Sequence, residues 1–328
     1  MDSLLFAINA VAPIILMVAV GYILKRLGFM TKDFAKAANK LVFRLFLPAM
    51  LFLNVYKIQD LSQMQFNYVF YVVAAVLVIF ALAIPAVMAI TKRADRRGAL
   101  LQVTFRSNYA LIGIPLAQSL FGDEGVLVAT MLSAVTIPVF NMLAVISLSL
   151  FREGGEKPSV KKILLGIAKN PLIISVLTGV VVVAIRALFD TWGLSFRLSD
   201  IKPVFSCLSY LSNMATPLAL LVLGAQFEFS AVSSLRREII AGTAMRVFIV
   251  PLLGLGIAFL FFRNQFGGAH FASFIAVFAT PVAVSSVPMA QEMDADATLA
   301  GQLVVWTTLV SAFTVFIASF LLKVAGVF

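Results

Sequence analysis

The strongest constraint on this chain is a succession of apolar runs, each long enough to cross a lipid bilayer. Residues 66–90 and 163–189 are two examples, and a membrane-spanning helix needs about 20 such residues. Hydrophobic residues make up 62% of the sequence and charged residues 12%, whereas about a quarter of a soluble domain is charged. A membrane barrel would show short alternating strands instead. The sequence therefore predicts an all-α polytopic membrane protein.

The breaks between these runs divide the chain into ten predicted spans. They lie near residues 4–24, 38–56, 67–90, 99–120, 126–151, 163–189, 203–226, 238–262, 270–290 and 298–325. Residues 1–151 hold the first five spans, residues 152–162 form a connecting loop, and residues 163–328 hold the second five. The first run is a span rather than a secretory signal, because its basic residues follow it and it exceeds the roughly 7–15 residues of a signal's apolar core.

The net charge of +10 is concentrated in alternate loops between the spans. These loops contain Lys25, Arg26, Lys32, Lys36 and Lys40; Lys92, Arg93, Arg96 and Arg97; Arg152, Lys157, Lys161, Lys162 and Lys169; and Arg236 and Arg237. Such alternation is typical of cytoplasmic loops in membrane proteins and sets their orientation; a nucleic-acid partner is not indicated. The pattern predicts that both termini lie outside the cytoplasm.

The two groups of five spans resemble each other in sequence. The matching pairs are "APIILMVAVG" (12–21) with "NPLIISVLTG" (170–179), "LFLPAMLFL" (45–53) with "MATPLALLV" (214–222), "ALAIPAV" (81–87) with "VFIVPLL" (247–253), and "IPLAQSLFGD" (114–123) with "VPMAQEMDAD" (287–296). Because each group has an odd number of spans, the second must enter the membrane from the opposite side. An inverted repeat of this kind is found in many secondary transporters.

The fourth and ninth spans each contain residues that interrupt a helix. The fourth has Gly113 and Pro115, and the ninth has Pro281 and Pro288 on either side of a polar pair. Interrupted helices survive in lipid only where they line protein or water. If Pro115 and Pro288 each begin a half-helix, two electropositive helix N-termini meet near mid-membrane and form an anion site. The alternative is that these prolines merely kink continuous helices; the repeat and the polar neighbours favour the site.

Polar residues near the two breaks are the candidate substrate-binding residues. Asn108 lies two turns before Pro115, where its amide either binds a ligand or bonds a neighbouring helix. Arg106 and Arg246 are the deepest charges in the spans, and each either faces the site or reaches the cytoplasmic surface. The full set of candidates is Arg106, Asn108, Gly113, Pro115, Arg246, Thr280, Pro281, Ser285, Ser286 and Pro288, with Thr136 and Asn141 as weaker members.

Several chemistries have no residues to support them. The acidic residues all lie in loops or near span ends, so proton coupling has no carboxylate in mid-span. Proton coupling through the acids that flank the broken spans (Asp123, Glu124, Asp294 and Asp296) and sodium coupling through carbonyls and hydroxyls stay open. The single Cys207 excludes an internal disulfide and a cysteine metal cluster. An intramembrane enzyme would need a nucleophile with its base, or metal ligands at depth. The sequence predicts no catalytic residue, metal site or cofactor.

Four segments resemble the auxin efflux carrier family. They are "RSNYALIGIPLAQSLFGDEG" (106–125), "KNPLIISVLTG" (169–179), "ATPLALLVLGAQF" (215–227) and "TPVAVSSVPMAQEMDAD" (280–296), which are similar to that family's fourth, sixth, seventh and ninth spans. The resemblance extends over nearly the whole chain, and the short loop after the fifth span is similar to that of bacterial members.

The resemblance implies a ten-helix fold related to bile-acid symporters, in which the fourth and ninth spans break and cross. It implies a scaffold of spans one, two, six and seven, dimer contacts through spans two and seven, and a mobile transport domain formed by the other six. The family's asparagine and prolines correspond to Asn108, Pro115 and either Pro281 or Pro288. The ninth span has Ser285 and Ser286 in place of a second asparagine, so substrate identity does not transfer.

These observations together predict a secondary transporter for a small organic anion, a carboxylate, in a bacterial inner membrane. Its termini are expected in the periplasm, and its expected partners are the anion, membrane lipid and a second copy of the chain. A sodium-coupled symporter of the bile-acid type is a second hypothesis. A membrane receptor that binds without flux is a third, from a different class.

Overall fold

The computed structural model describes residues 2–57, 66–151, 165 and 168–327, with the backbone alone for residues 2–11. In this part of the chain the regular structure is helical, and the extended backbone pairing is a single bridge between Ser107 and Val282. The helices of seven or more residues are α1 (Asp2–Arg26), α2 (Lys32–Tyr56), α3 (Phe66–Ile90), α4 (Ala94–Phe105), α5 (Tyr109–Leu150), α6 (Pro171–Thr191), α7 (Lys202–Gln226), α8 (Arg236–Phe262), α9 (Gly268–Phe278), α10 (Ser286–Glu292) and α11 (Ala297–Val324). The predicted connecting loop, 152–162, lies outside the described residues.

Seven of the described helices are long and apolar enough to cross a membrane, namely α2, α3, α5, α6, α7, α8 and α11. α9 is apolar but shorter. The prediction of an all-helical, multi-pass membrane protein is therefore confirmed. α2 begins six residues before the predicted span at 38–56, because Thr31 accepts a hydrogen bond from the N–H of Phe34 and caps an amphipathic first section.

α5 is interrupted by a reversal at Phe121 and Gly122. Gly122 has φ 54° and ψ −139°, a conformation that residues with a Cβ avoid. Beyond the turn, a Cβ on Gly125 would lie 2.1 Å from the carbonyl oxygen of Ala117, so the two arms of the turn touch through their backbones. α5 therefore has a short first arm, 109–120, and a long second arm, 123–150.

Three prolines are accommodated by wide helical turns instead of sharp kinks. Pro48, Pro115 and Pro251 each stand two residues after a π-helical turn. A proline removes one N–H and crowds the carbonyl four residues earlier. A wider turn relieves that crowding by letting the earlier carbonyls bond to a more distant N–H. Helices α2, α5 and α8 consequently continue through their prolines.

Helices α1, α2, α6 and α7 pack against one another through small residues. A Cβ on Gly21 would lie 2.1 Å from the carbonyl oxygen of Leu221, and one on Gly224 would lie 1.9 Å from that of Val18, so the backbones of α1 and α7 are in contact. Gly179 of α6 packs similarly against Val55 of α2. Such close approach is the usual packing mode of membrane helices, because lipid provides no hydrophobic drive between them.

Candidate functional site

The chain stretches between α4 and α5 and between α9 and α10 lie side by side and are bonded to each other. The backbone N–H of Asn108 donates to the carbonyl oxygen of Pro281 at 2.8 Å, and that of Ala283 donates to the carbonyl oxygen of Arg106 at 3.3 Å. Together with the Ser107–Val282 bridge, these bonds satisfy backbone groups that the helices leave unpaired. The two segments thus form a short antiparallel pair at the centre of the helices.

Arg246 of α8 bonds the C-terminal ends of the two helices that lead into this pair. Its Nε donates to the carbonyl oxygen of Thr280 at 2.8 Å, and its Nη2 to that of Val277 at 2.8 Å. Nη1 lies 3.5 Å from the carbonyl oxygen of Thr104 in α4. Helix C-termini carry unpaired carbonyls and partial negative charge, so the fully buried Arg246 stabilises both ends. The sequence predicted that Arg246 either faces the site or reaches the cytoplasmic surface. The buried side chain does not reach the surface, and it bonds the backbone of the paired segments, so its role at the site stays a prediction.

Arg106 lies on the other side of the pair and bonds neutral groups. Its Nη2 donates to Oδ1 of Asn141 at 2.7 Å and to Oγ of Ser285 at 2.9 Å. Its Nη1 donates to Oε1 of Gln102 at 3.0 Å and contacts Sδ of Met289 at 2.8 Å. The side chain is only 3% exposed, and no carboxylate in the described part of the chain lies within ion-pair distance of it. A buried cation without a counter-ion is costly in a membrane and usually marks function.

A cavity of about 60 Å³ lies beside Arg106. Polar groups of the paired segments and of α5 form one wall, supplied by Arg106, Ser107, Asn108, Asn141 and Ser285. The opposite wall belongs to other helices: Leu47, Met50, Leu51 and Asn54 come from α2 and Leu172 from α6. A cavity needs about 10–15 Å³ of such volume to hold one water molecule, so this cavity has room for several waters or for a small group such as a carboxylate.

Two side chains of this polar wall have hydrogen-bonding capacity that the protein does not use. Nδ2 of Asn108 and Oγ of Ser107 are buried and have no partner among the described residues. Asn108 is 7% exposed, and its carbonyl oxygen accepts from Ile112 to begin α5. The first N–H groups of α5 have no carbonyl within their own helix. A guanidinium, an amide, a hydroxyl and a helix N-terminus therefore converge on one small space.

The remaining candidates from the sequence occupy supporting positions. Thr136 and Thr280 donate to carbonyl oxygens of their own chain segments, Leu132 and Ala276. Gly113 allows close packing, since a Cβ there would lie 2.9 Å from Cβ of Ala276. None of these three residues lines the cavity.

Contrary to the prediction from the sequence, the half-helices do not begin at Pro115 and Pro288. α5 starts at Tyr109, six residues before Pro115, and Pro288 is the third residue of α10. Pro281 contributes its carbonyl oxygen to the paired segments. Ser286 is buried with an unpartnered hydroxyl, and it lies outside the cavity lining.

Three residues at the cavity or in contact with Arg106 were not among the candidates from the sequence. Ser107 lies between two residues that were, and its small polar side chain in an apolar run is a detectable signal. Asn54 is the amide of the second span, and it lines the cavity from the opposite wall. Met289 contacts the Arg106 guanidinium, and its sequence context contains no signal for that contact.

Comparison with known proteins gives consistent matches. The model of a family described as membrane transport protein matches residues 6–319. A protein of Methanothermobacter thermautotrophicus described as an uncharacterized transporter is 24% identical over 305 residues, which cover 92% of this chain and 94% of the relative. Another uncharacterized transporter, from Methanocaldococcus jannaschii, is 26% identical over 220 residues, covering 66% of this chain and 67% of the relative.

Proposed function

Because the chain belongs to the membrane transport protein family, which includes the auxin efflux carriers, we propose that it carries a small organic anion bearing a carboxylate. The observation that carries the proposal is Arg106, a buried cation whose partners are all neutral. A guanidinium pairs more strongly with a carboxylate than with neutral acceptors, so a bound carboxylate would replace neutral partners such as Asn141 and Ser285 at the Nη groups. The bound carboxylate would supply the counter-charge that the protein itself does not.

The other groups around the cavity support this assignment. Nδ2 of Asn108 has a free N–H to donate, and the hydroxyl of Ser107 can rotate to do the same. The N-terminus of α5 adds partial positive charge on the same side. The small volume favours recognition of the carboxylate group itself, with the rest of the substrate pointing along the α2 wall.

We propose alternating access through movement of one group of helices against the other. In this proposal, α1, α2, α6 and α7 form a scaffold, and α3 to α5 with α8 to α11 form a transport domain. Two features support it: the wall of the cavity that contains Arg106 belongs to one group and the wall from α2 and α6 belongs to the other, and we infer a repeat in the order of the helices. α4 with the first arm of α5 corresponds to α9 with α10, and the second arm corresponds to α11, as expected for a five-plus-five inverted repeat with crossing spans four and nine.

The orientation and surroundings complete the proposal. Basic residues at the end of α1 and the starts of α2, α4 and α8 favour a cytoplasmic position for those ends, which puts both termini in the periplasm of a bacterial inner-membrane protein. A second copy of the chain is expected to pack through α2 and α7, with lipid around the remainder. An epitope tag at either terminus should be reached by antibody from the periplasm; labelling from the cytoplasm alone would refute this orientation.

A ligand screen tests the anion site. Purified protein in detergent is expected to be stabilised against heating by at least one small mono- or dicarboxylate, and the same compound should exchange across proteoliposome membranes. Asn108→Ala should weaken binding about 10- to 150-fold, since one hydrogen bond to a charged group contributes about 1.5–3 kcal/mol. Thr136→Val, which changes a buried group outside the cavity, should leave affinity unchanged.

The outcomes separate the competing functions. Binding of a carboxylate without flux would favour a receptor, and flux that requires a sodium gradient would favour a bile-acid type symporter. Carboxylate affinity that is equal in wild type and Asn108→Ala would contradict the site.

A further inference from the structure

A second, larger cavity lies at the basic-loop end of the molecule. Its volume is about 380 Å³, and it lies among the end of α1, the start of α2, the end of α7, α10 and the start of α11. It is separated from the central cavity by α10: Ser285, just before that helix, lines the central cavity, whereas Val287 and Gln291 of the helix line this one. The two cavities share no lining residue.

The charged groups of this cavity are predominantly positive. Lys25, Lys32 and Lys36 line it, against one carboxylate, Glu228. Three positive charges and one negative leave a net charge of +2. None of the three lysines is within ion-pair distance of a carboxylate in the described ranges, so their ammonium groups are available to a ligand.

Amide side chains form the opposite wall. Gln302 donates through Nε2 to the carbonyl oxygen of Glu228 at 2.8 Å and accepts from Nε1 of Trp306 at 3.2 Å. Gln226 donates through Nε2 to Oε1 of Gln291 at 3.2 Å. Each amide nitrogen carries two N–H groups, so Gln226 and Gln302 each keep one donor in addition to the bond described. The wall is fixed by these bonds and still has donors to offer.

We propose that this cavity is a second anion-binding site, open to the cytoplasm, for a soluble multivalent anion with carboxylate or phosphate groups. Three ammonium groups suit more than one negative charge, and the volume exceeds that of the central cavity several-fold. The site is one helix away from Arg106, because Met289 on α10 contacts that guanidinium while Gln291 faces the second cavity. That the second cavity serves as an entrance for the transported anion rests on the proposed function, whereas the binding of an anion in this cavity does not.

The competing explanation is that these lysines only orient the protein in the membrane. Two triple variants of equal charge separate the explanations. The cavity triple is Lys25→Gln/Lys32→Gln/Lys36→Gln, which removes the cavity's cations. The control triple is Lys40→Gln/Lys92→Gln/Arg236→Gln, which removes three exposed cations at the same end of the molecule that do not line the cavity.

The experiment measures thermal unfolding of the full chain in detergent with citrate, using sodium chloride of matched ionic strength as reference. Citrate is expected to raise the unfolding midpoint of the wild type by about 2–4 °C in a saturable manner. The cavity triple should lose this rise and the control triple should keep it. Asn108→Ala should also keep it, so a failure of the central site is distinguishable from a failure of this one.

Three results would overturn the proposal. The first is a citrate effect on the unfolding midpoint no larger than that of matched salt. The second is an equal loss of the citrate-induced rise in both triple variants. The third is loss of that rise in Asn108→Ala while the cavity triple retains it.

A parallel titration with phosphatidylglycerol micelles distinguishes the source of the anion. Stabilisation by these micelles with none by citrate would assign the lysines to a lipid headgroup and refute a soluble ligand.

Discussion

At the scale of single residues, the two buried arginines have opposite roles although both lie deep in the membrane region. Arg246 bonds carbonyl oxygens at the C-termini of α4 and α9. Arg106 bonds neutral side chains and borders a cavity. Both arginines have neutral partners, but of the two it is Arg106 that borders the cavity, so its charge is the one that a ligand in the cavity can neutralise.

Arg106→Gln is expected to abolish carboxylate binding while leaving the fold at least as stable. Glutamine keeps hydrogen-bonding capacity, and removing a buried charge without a counter-ion relieves its desolvation cost. Binding should weaken at least tenfold, and the thermal unfolding midpoint should stay equal or rise. Titration calorimetry and a thermal melt on the same sample measure both quantities. A large fall in the midpoint would show that Arg106 holds the fold together instead.

Arg246→Gln is expected to have the reverse effect, a large loss of stability. The variant leaves carbonyl oxygens at two helix ends without their charged donor, and each such bond contributes about 1.5–3 kcal/mol. We expect a loss of about 3 kcal/mol or more in the free energy of unfolding, measured by chemical denaturation in detergent. The exposed Arg236→Gln is the control and should change stability little. An Arg246→Gln protein of normal stability would contradict this role.

Sequence reasoning at this scale identified Arg106, Asn108, Asn141 and Ser285 as candidates, and the structure places all four around one cavity. Sequence reasoning could not tell which of Arg106 and Arg246 borders the cavity, because the answer depends on which helix each side chain faces. The partners of Arg246 at Val277 and Thr280 are more than 30 positions away in the chain. The local sequence pattern contains no information about contacts between residues so far apart in the chain.

At the scale of helices, the apolar runs predicted the long helices well, since length and hydropathy are direct requirements of the bilayer. The position of the first break was predicted less closely. Proline and glycine suggested residues 113–115, whereas the helix is interrupted at residues 106–108. Pro115 is accommodated by a π-helical turn, and the unpaired backbone near Asn108 is satisfied by Pro281. A break in one segment therefore depends on a distant segment that supplies its hydrogen bonds.

The contact between α1 and α7 can be tested with matched glycine substitutions. Gly21→Ala and Gly224→Ala each place a methyl group about 2 Å from a backbone atom of the facing helix, so the helices must separate. Overpacking of this kind costs about 1–3 kcal/mol. Gly256→Ala in α8 is the control, because its Cβ would meet only a side chain at 4.0 Å. We expect the first two variants to melt at lower temperature than wild type and the control to melt at the same or a higher temperature.

At the scale of the whole molecule, the two proposed groups of helices meet at an amide cluster near the basic-loop end. Asn39 of α2 donates through Nδ2 to Oε1 of Gln226 in α7 at 3.3 Å, and also to Oε1 of Gln291 in α10. The first bond joins two scaffold helices, and the second joins the scaffold to the transport domain. The Asn39 side chain thus makes one contact within the proposed scaffold and one contact across the surface that is proposed to slide.

Cross-linking these two contacts tests the proposed movement directly. In a Cys207→Ser background, Asn39→Cys/Gln291→Cys joined by a short reducible bis-methanethiosulfonate should stop carboxylate flux in proteoliposomes, because α10 can no longer move relative to α2. Asn39→Cys/Gln226→Cys treated in the same way should retain flux, because α2 and α7 belong to the same group. Reduction should restore the first variant to its rate before cross-linking. Equal flux in both cross-linked proteins would mean that the substrate crosses without relative motion of these groups, and equal inhibition would mean that the scaffold itself must rearrange.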